Sequence, residues 1–346
     1  MNFSKLILFF FLLQVSCQSS QNKNTKEQIQ KNDSSNFILS FGSCNNQVLP
    51  NNLWKAIEKH NPTVWIWGGD VIYSDTNDMK YLQKNYDVQL ANEDYKHFSS
   101  EVDILGTWDD HDYGLNDGGE EYEFKKESQQ LFLNFLKVKK EDPRRLKEGV
   151  YFSKNYIINE HSIKVIILDT RYFRTKLTAA TDTSKRYKPS NNPGNTMLGE
   201  KQWEWLSNEL KTSTATFNVI MSSIQFLSNE HGFECWGTMP TEIKKLEELL
   251  LTSKAKNTII LSGDRHISEF SKKDINGLDY PLIDFTSSGL THSYTNFTEE
   301  PNAYRIGNVV SIKSFGLLKF NFLKMEVLME IRGEENKLLE SLIQKY

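Results

Sequence analysis

The sequence predicts an α/β fold, and two patterns support this prediction. Between residues 36 and 266, short runs of β-branched and aromatic residues alternate with amphipathic stretches of helical period, as they do where helices cover a sheet. After residue 280 the apolar residues recur with a period near two, which is typical of antiparallel strands. No internal repeat occurs and no linker follows Asn36, so we expect one domain over residues 37–346.

The alternating part is assigned in chain order. The predicted strands are 36–44, 63–70, 101–110, 163–171, 217–223 and 257–266. The predicted helices are 51–60, 127–138, 199–211 and 241–254. The second strand, TVWIWGGD, is apolar almost throughout, which indicates burial on both faces.

Two further regions complete the assignment. Residues 172–198 have no period and are rich in Ser, Thr, Asn and Pro, so we expect a long surface excursion of the kind that usually has a function or moves. The runs YPLIDFTSSG, VVSIKS, FGLLKFNF and KMEVLMEIRG follow residue 280. We expect them to be antiparallel strands that close a second sheet.

The N-terminus has the features of an export signal. Lys5 precedes an unbroken apolar run at residues 6–13, which is too short to span a bilayer because a membrane helix needs roughly 20 apolar residues. Ser16 before Cys17 resembles a bacterial lipoprotein signal over residues 1–17. We expect export and a lipid anchor on Cys17, at a periplasmic or cell-surface location. The alternative is an ordinary cleaved signal.

Composition indicates a flexible tether after the signal and argues against nucleic acid as a partner. Residues 18–36 contain Ile29 as their only aliphatic residue and are expected to form a flexible polar tether. The 41 basic and 45 acidic residues are spread along the chain without a basic cluster, so nucleic acid is not an expected partner. The oligomeric state stays open.

The strongest functional signal is the polar chemistry at four predicted strand ends. In α/β proteins, ligands bind where loops leave the carboxyl ends of strands. Alone, a Gly-Asp turn, a buried tyrosine or a core histidine would each have a structural explanation. Together, several carboxylates at converging loops would repel each other unless cations lay among them. The residues at these ends are Cys44; Asp70 and Tyr73; Asp109, Asp110, His111, Asp112 and Asn116; and Asp264, Arg265 and His266.

The motifs FGSC, GGDVIY, WDDHDYGLND, LDTR and LSGDRH resemble, in this order, those of the PhoD-like (alkaline phosphatase D) metallophosphatases. These are relatives of the purple acid phosphatases within the calcineurin-like superfold, and the resemblance spans about residues 37–295. It implies a four-layer α/β/β/α sandwich of two mixed β-sheets with a metal centre at their edge.

The resemblance also implies a ligand set. A ferric ion, Fe3+, is expected on Cys44, Asp70, Tyr73 and His266. A second cation, Ca2+, is expected to share Asp70 and to take Asp110, Asp264 and Asn116. Thiolate and phenolate suit a transition metal of high charge, whereas carboxylate and amide oxygens suit calcium.

Cys44 has an alternative fate, because a disulfide to Cys235 is the ordinary expectation for two cysteines in an oxidising compartment. Ligation of a metal by Cys44 would instead leave Cys235 as a free thiol of unassigned role. The ligand set implied by the resemblance favours the second outcome.

The implied activity is hydrolysis of phosphate monoesters, diesters or both, by attack of a metal-bound hydroxide on phosphorus. His111 is the candidate general acid, with support of a ligand carboxylate as the alternative. Arg265 and Arg171 are candidate substrate-binding residues, although Arg265 could point away and Arg171 could form a structural salt bridge. We expect supporting roles for Asp109 and Asp112. Asp117 is expected in a solvated loop.

Two other functions stay open. One is a phosphodiesterase for a phosphate-containing polymer, for which the excursion at 172–198 and the loop around Cys235 would shape a groove. The other is a non-catalytic surface lipoprotein that retains the fold. The full ligand set argues against the second, because a binding module has no need of it.

Overall fold

Two mixed β-sheets form the centre of the domain. The computed structural model describes residues 36–182 and 185–346, so the expected signal peptide, Cys17 and nearly all of the tether lie outside the described residues. Among the helices of the described ranges, none has the length and apolar character that a membrane span requires.

One sheet has six strands in the order β13-β12-β11-β1-β2-β3, and the other has seven in the order β10-β8-β9-β7-β6-β5-β4. The strands are β1 (Asn36–Gly42), β2 (Val64–Gly68), β3 (Asp103–Thr107), β4 (Phe152–Ile158), β5 (His161–Ile167), β6 (Phe217–Met221), β7 (Thr258–Ser262), β8 (Ser268–Lys273), β9 (Leu282–Ser287), β10 (Arg305–Val310), β11 (Ser314–Asn321), β12 (Glu326–Gly333) and β13 (Leu338–Lys345). The helices are α1 (Trp54–Glu58), α2 (Met79–Ala91), α3 (Glu93–Glu101), α4 (Asp110–Tyr113), α5 (Lys125–Phe135), α6 (Gly199–Lys211) and α7 (Pro240–Thr252).

Alternation along the buried strands produces the layers. In β2, Val64 and Ile66 belong to the apolar core between the two sheets, whereas Trp65 and Trp67 pack with side chains of α1, α2, α3 and α5 on the outer face. The seven-stranded sheet packs its outer face against α6 and α7 in the same way. The result is the four-layer α/β/β/α sandwich, so the predicted fold class is confirmed.

The strands after residue 280 do not all join one antiparallel sheet, and this part of the prediction is wrong. Strand β9 pairs parallel with β7 in the seven-stranded sheet, and β10 pairs with β8 in the same sheet. Strands β11, β12 and β13 are antiparallel and extend the six-stranded sheet from β1. A period of two indicates a strand but does not identify its neighbour.

The sheets meet at the end where the parallel strands finish. Strands β1, β2 and β3 are parallel, as are β5, β6, β7 and β9. An isolated parallel bridge between Ser43 and Ser288 joins the chain after β1 to the chain after β9. A Cβ on Gly263, which follows β7, would lie 2.5 Å from Ser43 Oγ. This close approach brings the loops after β1 and β7 together.

Candidate metal centre

The predicted ligands converge at this junction of the two sheets. Four of them have a left-handed backbone, with φ of 58° at Cys44, 49° at Asp70, 68° at Asp264 and 56° at His266. Each non-glycine residue in this region costs about 1–3 kcal/mol. Such conformations occur where the surrounding structure holds them in place, and here they coincide with the predicted ligands.

A first cluster contains a thiol, a phenol, a carboxylate and an imidazole. Cys44 Sγ donates to Asp70 Oδ2 at 3.4 Å, and the Tyr73 hydroxyl donates to the same oxygen at 3.1 Å. His266 Nε2 lies 3.0 Å from the Tyr73 hydroxyl. Ser288 Oγ lies 3.0 Å from Cys44 Sγ and accepts from the His266 backbone N–H at 2.8 Å. The structure thus brings together the four residues predicted to hold a ferric ion.

A second cluster contains carboxylates. Donor atoms of Asp109, Asp110 and Asp264 all lie within 4.8 Å of one another, and so do donor atoms of Asp70, Asp110 and His111. Asp70 therefore belongs to a group with Cys44 and to a group with Asp110. Asp70 thus connects the first cluster with the carboxylates, through Asp110.

The charges of the centre are unfavourable without a cation. Burial raises the pKa of the Cys44 thiol to about 12, and burial together with neighbouring anions raises the pKa values of Asp70 and Asp264 well above their usual range. Asp109 Oδ2 is buried without a hydrogen-bond partner. Buried acidic groups that are crowded, raised in pKa and incompletely hydrogen-bonded fit a site for cations.

The cavity beside these clusters has a volume of about 360 Å³. Asp110, His111, Asp264, Arg265 and His266 line it. Asn116, the remaining predicted ligand, is exposed and lines the same cavity, although no structural finding tests its ligation. The carboxylate cluster therefore borders the space that a substrate could enter.

His111 stands between the two clusters and has a carboxylate partner that the sequence did not reveal. Its Nδ1 lies 2.6 Å from Asp75 Oδ2, and its ring stacks on Tyr73 with a centroid distance of 4.2 Å. Burial opposes the charged form of His111, but the carboxylates of Asp70, Asp75 and Asp110 outweigh it and raise its pKa to about 10. The imidazole is thus fixed in orientation by Asp75 and Tyr73, and the surrounding carboxylates favour its protonated form.

Arg171 is completely buried and lies outside the group of residues that line the cavity. Its guanidinium pairs with Asp109 at 2.5 Å and with Glu234 at 2.5 Å. These contacts are those of the structural salt bridge, the alternative to substrate binding. Asp109 shares its charge with Arg171 through this ion pair, and its supporting role at the centre stays a prediction.

Arg265 lines the cavity, and its guanidinium pairs with Glu300. Its carbon Cζ lies 4.2 Å from the ring centroid of Phe233, a cation–π contact. Substrate contact by Arg265 stays a prediction, and this position is compatible with it.

The remaining predicted residues have structural contacts. Asp112 accepts from the backbone N–H groups of Asp109 at 2.6 Å and Val71 at 3.1 Å, which ties the loops after β2 and β3 together. Cys44 and Cys235 are both buried and free, so the alternative disulfide is not formed. A further residue, His292, packs edge-on against His266 at 4.5 Å between centroids.

The family model of the PhoD-like phosphatases matches residues 39–306. The chain belongs to the PhoD-like phosphatase family. This confirms the resemblance that the strand-end motifs indicate. Within the family match lie Cys44, Asp70, Tyr73, Asp110 and the segment from Asp264 to His266.

Individual relatives are more distant. Alkaline phosphatase D from Bacillus subtilis (strain 168) is 27% identical over 140 residues, which cover 36% of this PhoD-like chain and 24% of that protein. The matched part is thus about a quarter of the length of this curated relative.

Two solved structures share the fold. A structure of PhoD has a TM-score of 0.70 at 17% identity and covers 90% of this chain and 68% of its own. A dimetal phosphatase from Danio rerio has a TM-score of 0.53 at 12% identity and covers 90% of this chain and 99% of its own. At these identities the likeness concerns the fold.

Proposed function

We propose that this protein is a metal-dependent phosphoesterase that hydrolyses phosphate monoesters, diesters or both. The observation that carries the proposal is the connection that Asp70 makes between the thiol-containing cluster and the carboxylates, through Asp110, beside an open cavity. Membership of the PhoD-like phosphatase family supports it. The name of the Danio rerio neighbour, a dimetal phosphatase, agrees with two cation positions.

The donor chemistry supports two different cations. We propose that Cys44, Tyr73 and His266 hold Fe3+ together with Asp70, because anionic sulfur and phenolic oxygen suit a transition metal. The oxygen donors Asp110, Asp264 and Asn116 would hold Ca2+ together with the shared carboxylate. When bound, such cations supply a nucleophilic water of lowered pKa and neutralise charge on the phosphate oxygens.

The chain's own residues would handle the leaving group. His111 lines the cavity. Burial opposes its charged form, but neighbouring carboxylates, Asp75 among them, raise its pKa, and Asp75 is outside the proposed ligand set, so its contribution remains when cations are bound. We infer that Nδ1 donates to Asp75 while Nε2 gives its proton to the departing oxygen of the ester. Asp75 fixes the ring and so makes Nε2 the atom that faces the reaction.

Arginine would hold the substrate in place. Arg265 lies at the cavity wall between Glu300 and Phe233, where its planar group could bind phosphate oxygens. Arg171 would act indirectly, because it neutralises Asp109 behind the carboxylate cluster. We therefore place substrate contact on Arg265 rather than on Arg171.

One experiment tests the activity and its dependence on metal. Purified protein is assayed with an aryl phosphate monoester and the matching diester, before and after chelation and after return of iron and calcium. We expect hydrolysis that chelation removes and metal restores, and loss by at least about 1000-fold in Asp70→Ala, because two cations supply several kcal/mol of charge stabilisation.

Asp87→Ala is the matched control, because Asp87 is an exposed residue of α2. It should keep full activity. Wild-type protein that stays inert toward both esters with both metals restored would contradict the proposal and favour the non-catalytic surface lipoprotein.

A phosphodiesterase for a phosphate-containing polymer is the second candidate. The exposed Phe233 lines the cavity of the metal centre and two adjoining cavities of about 280 and 250 Å³. Lys185, from the excursion at 172–198, lines both adjoining cavities. Cavities that share lining residues in this way would offer successive contacts to an extended substrate. Comparison of short aryl diesters with a polymeric diester in the same assay decides between the two.

We also propose that the protein is exported and anchored by lipid on Cys17. The support is the sequence pattern at residues 1–17. Incorporation of a labelled fatty acid that disappears in Cys17→Ser would agree with the anchor, and equal labelling of both forms would exclude it.

A further inference from the structure

One wall of the cavity comes from the excursion at residues 172–198 rather than from a strand end. Arg186 belongs to this wall. The backbone N–H groups of Arg186 and Tyr187 both donate to Gly232 O at 2.9 Å, and Ala180 N–H donates to Arg186 O at 3.1 Å. An isolated antiparallel bridge also pairs Ala179 with Tyr187. Arg186 is therefore presented by a hydrogen-bonded segment.

Asp117 joins this segment to the metal centre. Arg186 Nη2 lies 2.7 Å from Asp117 Oδ2, and the Tyr187 hydroxyl donates to the same oxygen at 2.6 Å. The backbone N–H of Asp117 donates to Asp110 Oδ2 at 2.7 Å. Asp117 thus contacts a predicted metal ligand through its main chain and the arginine through its side chain. It is only 12% exposed, so the expectation of a solvated loop is wrong for this residue.

The side chains of the arginines near the centre differ in their exposure to solvent. The side chain of Arg171 is 0% exposed, that of Arg265 is 11% exposed and that of Arg186 is 52% exposed. A guanidinium has five N–H donors in a planar fork. Contact of Nη2 with Asp117 leaves other donors of Arg186 in position to meet a molecule in the cavity.

We propose that Arg186 is a phosphate-binding residue whose guanidinium contacts a non-bridging oxygen of the substrate, and that Asp117 is its positioning residue. This inference rests on the proposed phosphoesterase function and adds a contact to it. The cavity is also bordered by the carboxylates of Asp110, Asp264 and Glu234 and by the guanidinium of Arg265. An exposed cation at the cavity wall attracts an anionic ligand, and more strongly a dianion than a monoanion.

The number of negative charges on the substrate should determine how much the loss of Arg186 matters. An aryl phosphate monoester carries two negative charges at alkaline pH, whereas the matching diester carries one. Loss of Arg186 should therefore weaken kcat/KM for the monoester more than for the diester. A residue that merely supported the fold would reduce both alike.

The test compares Arg186→Ala, Arg186→Lys and Lys188→Ala in the metal-loaded, full-length protein. Lys188 is an exposed basic residue of the same segment that lines an adjoining cavity but not the cavity of the metal centre, so it is the matched control for these short aryl substrates. For Arg186→Ala we expect a loss of about 10- to 100-fold in kcat/KM for the monoester, the range for one charged hydrogen bond. The inhibition constant of inorganic phosphate should rise by a similar factor, with metal content unchanged.

Added guanidinium chloride at millimolar concentration should restore part of the activity of Arg186→Ala, and sodium chloride at equal ionic strength should not. Arg186→Lys should fall between wild type and Arg186→Ala. Equal phosphate inhibition and equal kinetics in Arg186→Ala and Lys188→Ala would overturn the role of Arg186.

A double-mutant cycle tests the part played by Asp117. Asp117→Asn should weaken phosphate inhibition in the wild-type background and have little further effect in Arg186→Ala. Equal losses in both backgrounds would overturn the positioning of Arg186 by Asp117.

Direct calorimetric titration of phosphate separates this inference from the proposed function. A wild-type protein that binds phosphate through Arg186 but hydrolyses neither ester would contradict the phosphoesterase and retain the anion site. An active wild type whose phosphate affinity is unchanged in Arg186→Ala would contradict the anion site and leave the proposed phosphoesterase standing.

Discussion

The metal centre has a thiol–phenol half, formed by Cys44, Tyr73 and His266, and a carboxylate half, formed by Asp110 and Asp264, with Asp70 connecting the two. Burial raises the pKa of the Cys44 thiol to about 12, which favours the neutral thiol over the thiolate. The carboxylate half is not uniform, because burial and neighbouring carboxylates also raise the pKa of Asp264, whereas the pKa of Asp110 is lowered. Burial opposes its charge, but Arg171 and His111 outweigh that effect and lower its pKa.

Access to the cavity also differs between the two halves. Asp110 and Asp264 both line the cavity, whereas in the thiol–phenol half His266 lines it and Cys44 and Tyr73 do not. The carboxylate half is thus the more open to the cavity, and we expect it to meet the substrate. Changes to the two halves should therefore have different consequences.

The largest effect is expected in the carboxylate half. Asp264→Asn weakens the cation site that borders the cavity, so kcat/KM should fall by at least about 100-fold, more than the loss of an outer-shell partner. Metal analysis should find calcium reduced and iron retained. Asp274→Asn, at an exposed position after β8, is the control. Loss of iron with retention of calcium would reverse the assignment of the halves.

Cys44→Ser tests the other half. Thiolate and phenolate on ferric iron give a visible charge-transfer band, which should disappear or shift strongly in this variant. We expect hydrolysis to fall by about 100-fold as iron is lost. Cys235→Ser removes an equally buried free thiol and should leave the band unchanged. A wild-type protein that is colourless, free of iron and fully active would exclude the ferric assignment.

His111→Ala should act on the leaving group rather than on the cations. Hydrolysis of esters with poor leaving groups should slow by about 100-fold, within the range of general acid catalysis, and nitrophenyl esters should be affected far less. The slope of log kcat against leaving-group pKa measures this. Equal losses for good and poor leaving groups would indicate that His111 only supports Asp110.

Asp75→Asn should have the smallest effect and should change the pH profile. The acid is present below the pKa of His111, which Asp75 helps to raise against the effect of burial, and is lost as the pH rises through that pKa. Without the Asp75 charge this alkaline limb should move down by about one pH unit, as expected for one charged hydrogen bond. An unchanged limb with unchanged kcat would separate Asp75 from the proton transfer.

Much of the centre could be predicted because its residues follow apolar runs. Each such run ends in a polar residue, and the carboxyl ends of parallel strands meet at one edge of a sheet. That rule is enough to group Cys44, Asp70, Asp110 and Asp264. It does not give the left-handed backbone at three of them, because only the loops around them determine it.

The remaining features depend on contacts between distant segments. Arg171 follows a strand like the ligands do, but its side chain turns toward Asp109 and Glu234, and Glu234 lies more than sixty residues away. Asp75 sits in an ordinary polar loop, and its proximity to His111 follows from the path of the chain after β2. Arg186 lies in a segment without periodicity, so no pattern connects it with Asp117.

Several elements escaped sequence assignment for a related reason. Helices α2 and α3 were not predicted although they cover the six-stranded sheet, because only a few buried positions such as Leu82, Tyr86, Tyr95 and Phe98 interrupt their polar sequences. Strand β8 (SEFSKK) is likewise short of apolar residues, and the apolar residues of β4 (FSKNYII) and β13 (LLESLIQK) are grouped rather than strictly alternating. Their place in the sheets depends on pairing with neighbours, which a single segment does not encode.

Metal analysis of wild type and Asp70→Ala tests the central claim, that one carboxylate joins the two halves. Wild type loaded with iron and calcium should retain both after gel filtration, and Asp70→Ala should lose both together with its visible band and its hydrolytic activity. Asp70→Ala that keeps the wild-type content of both metals and the wild-type activity would contradict the account.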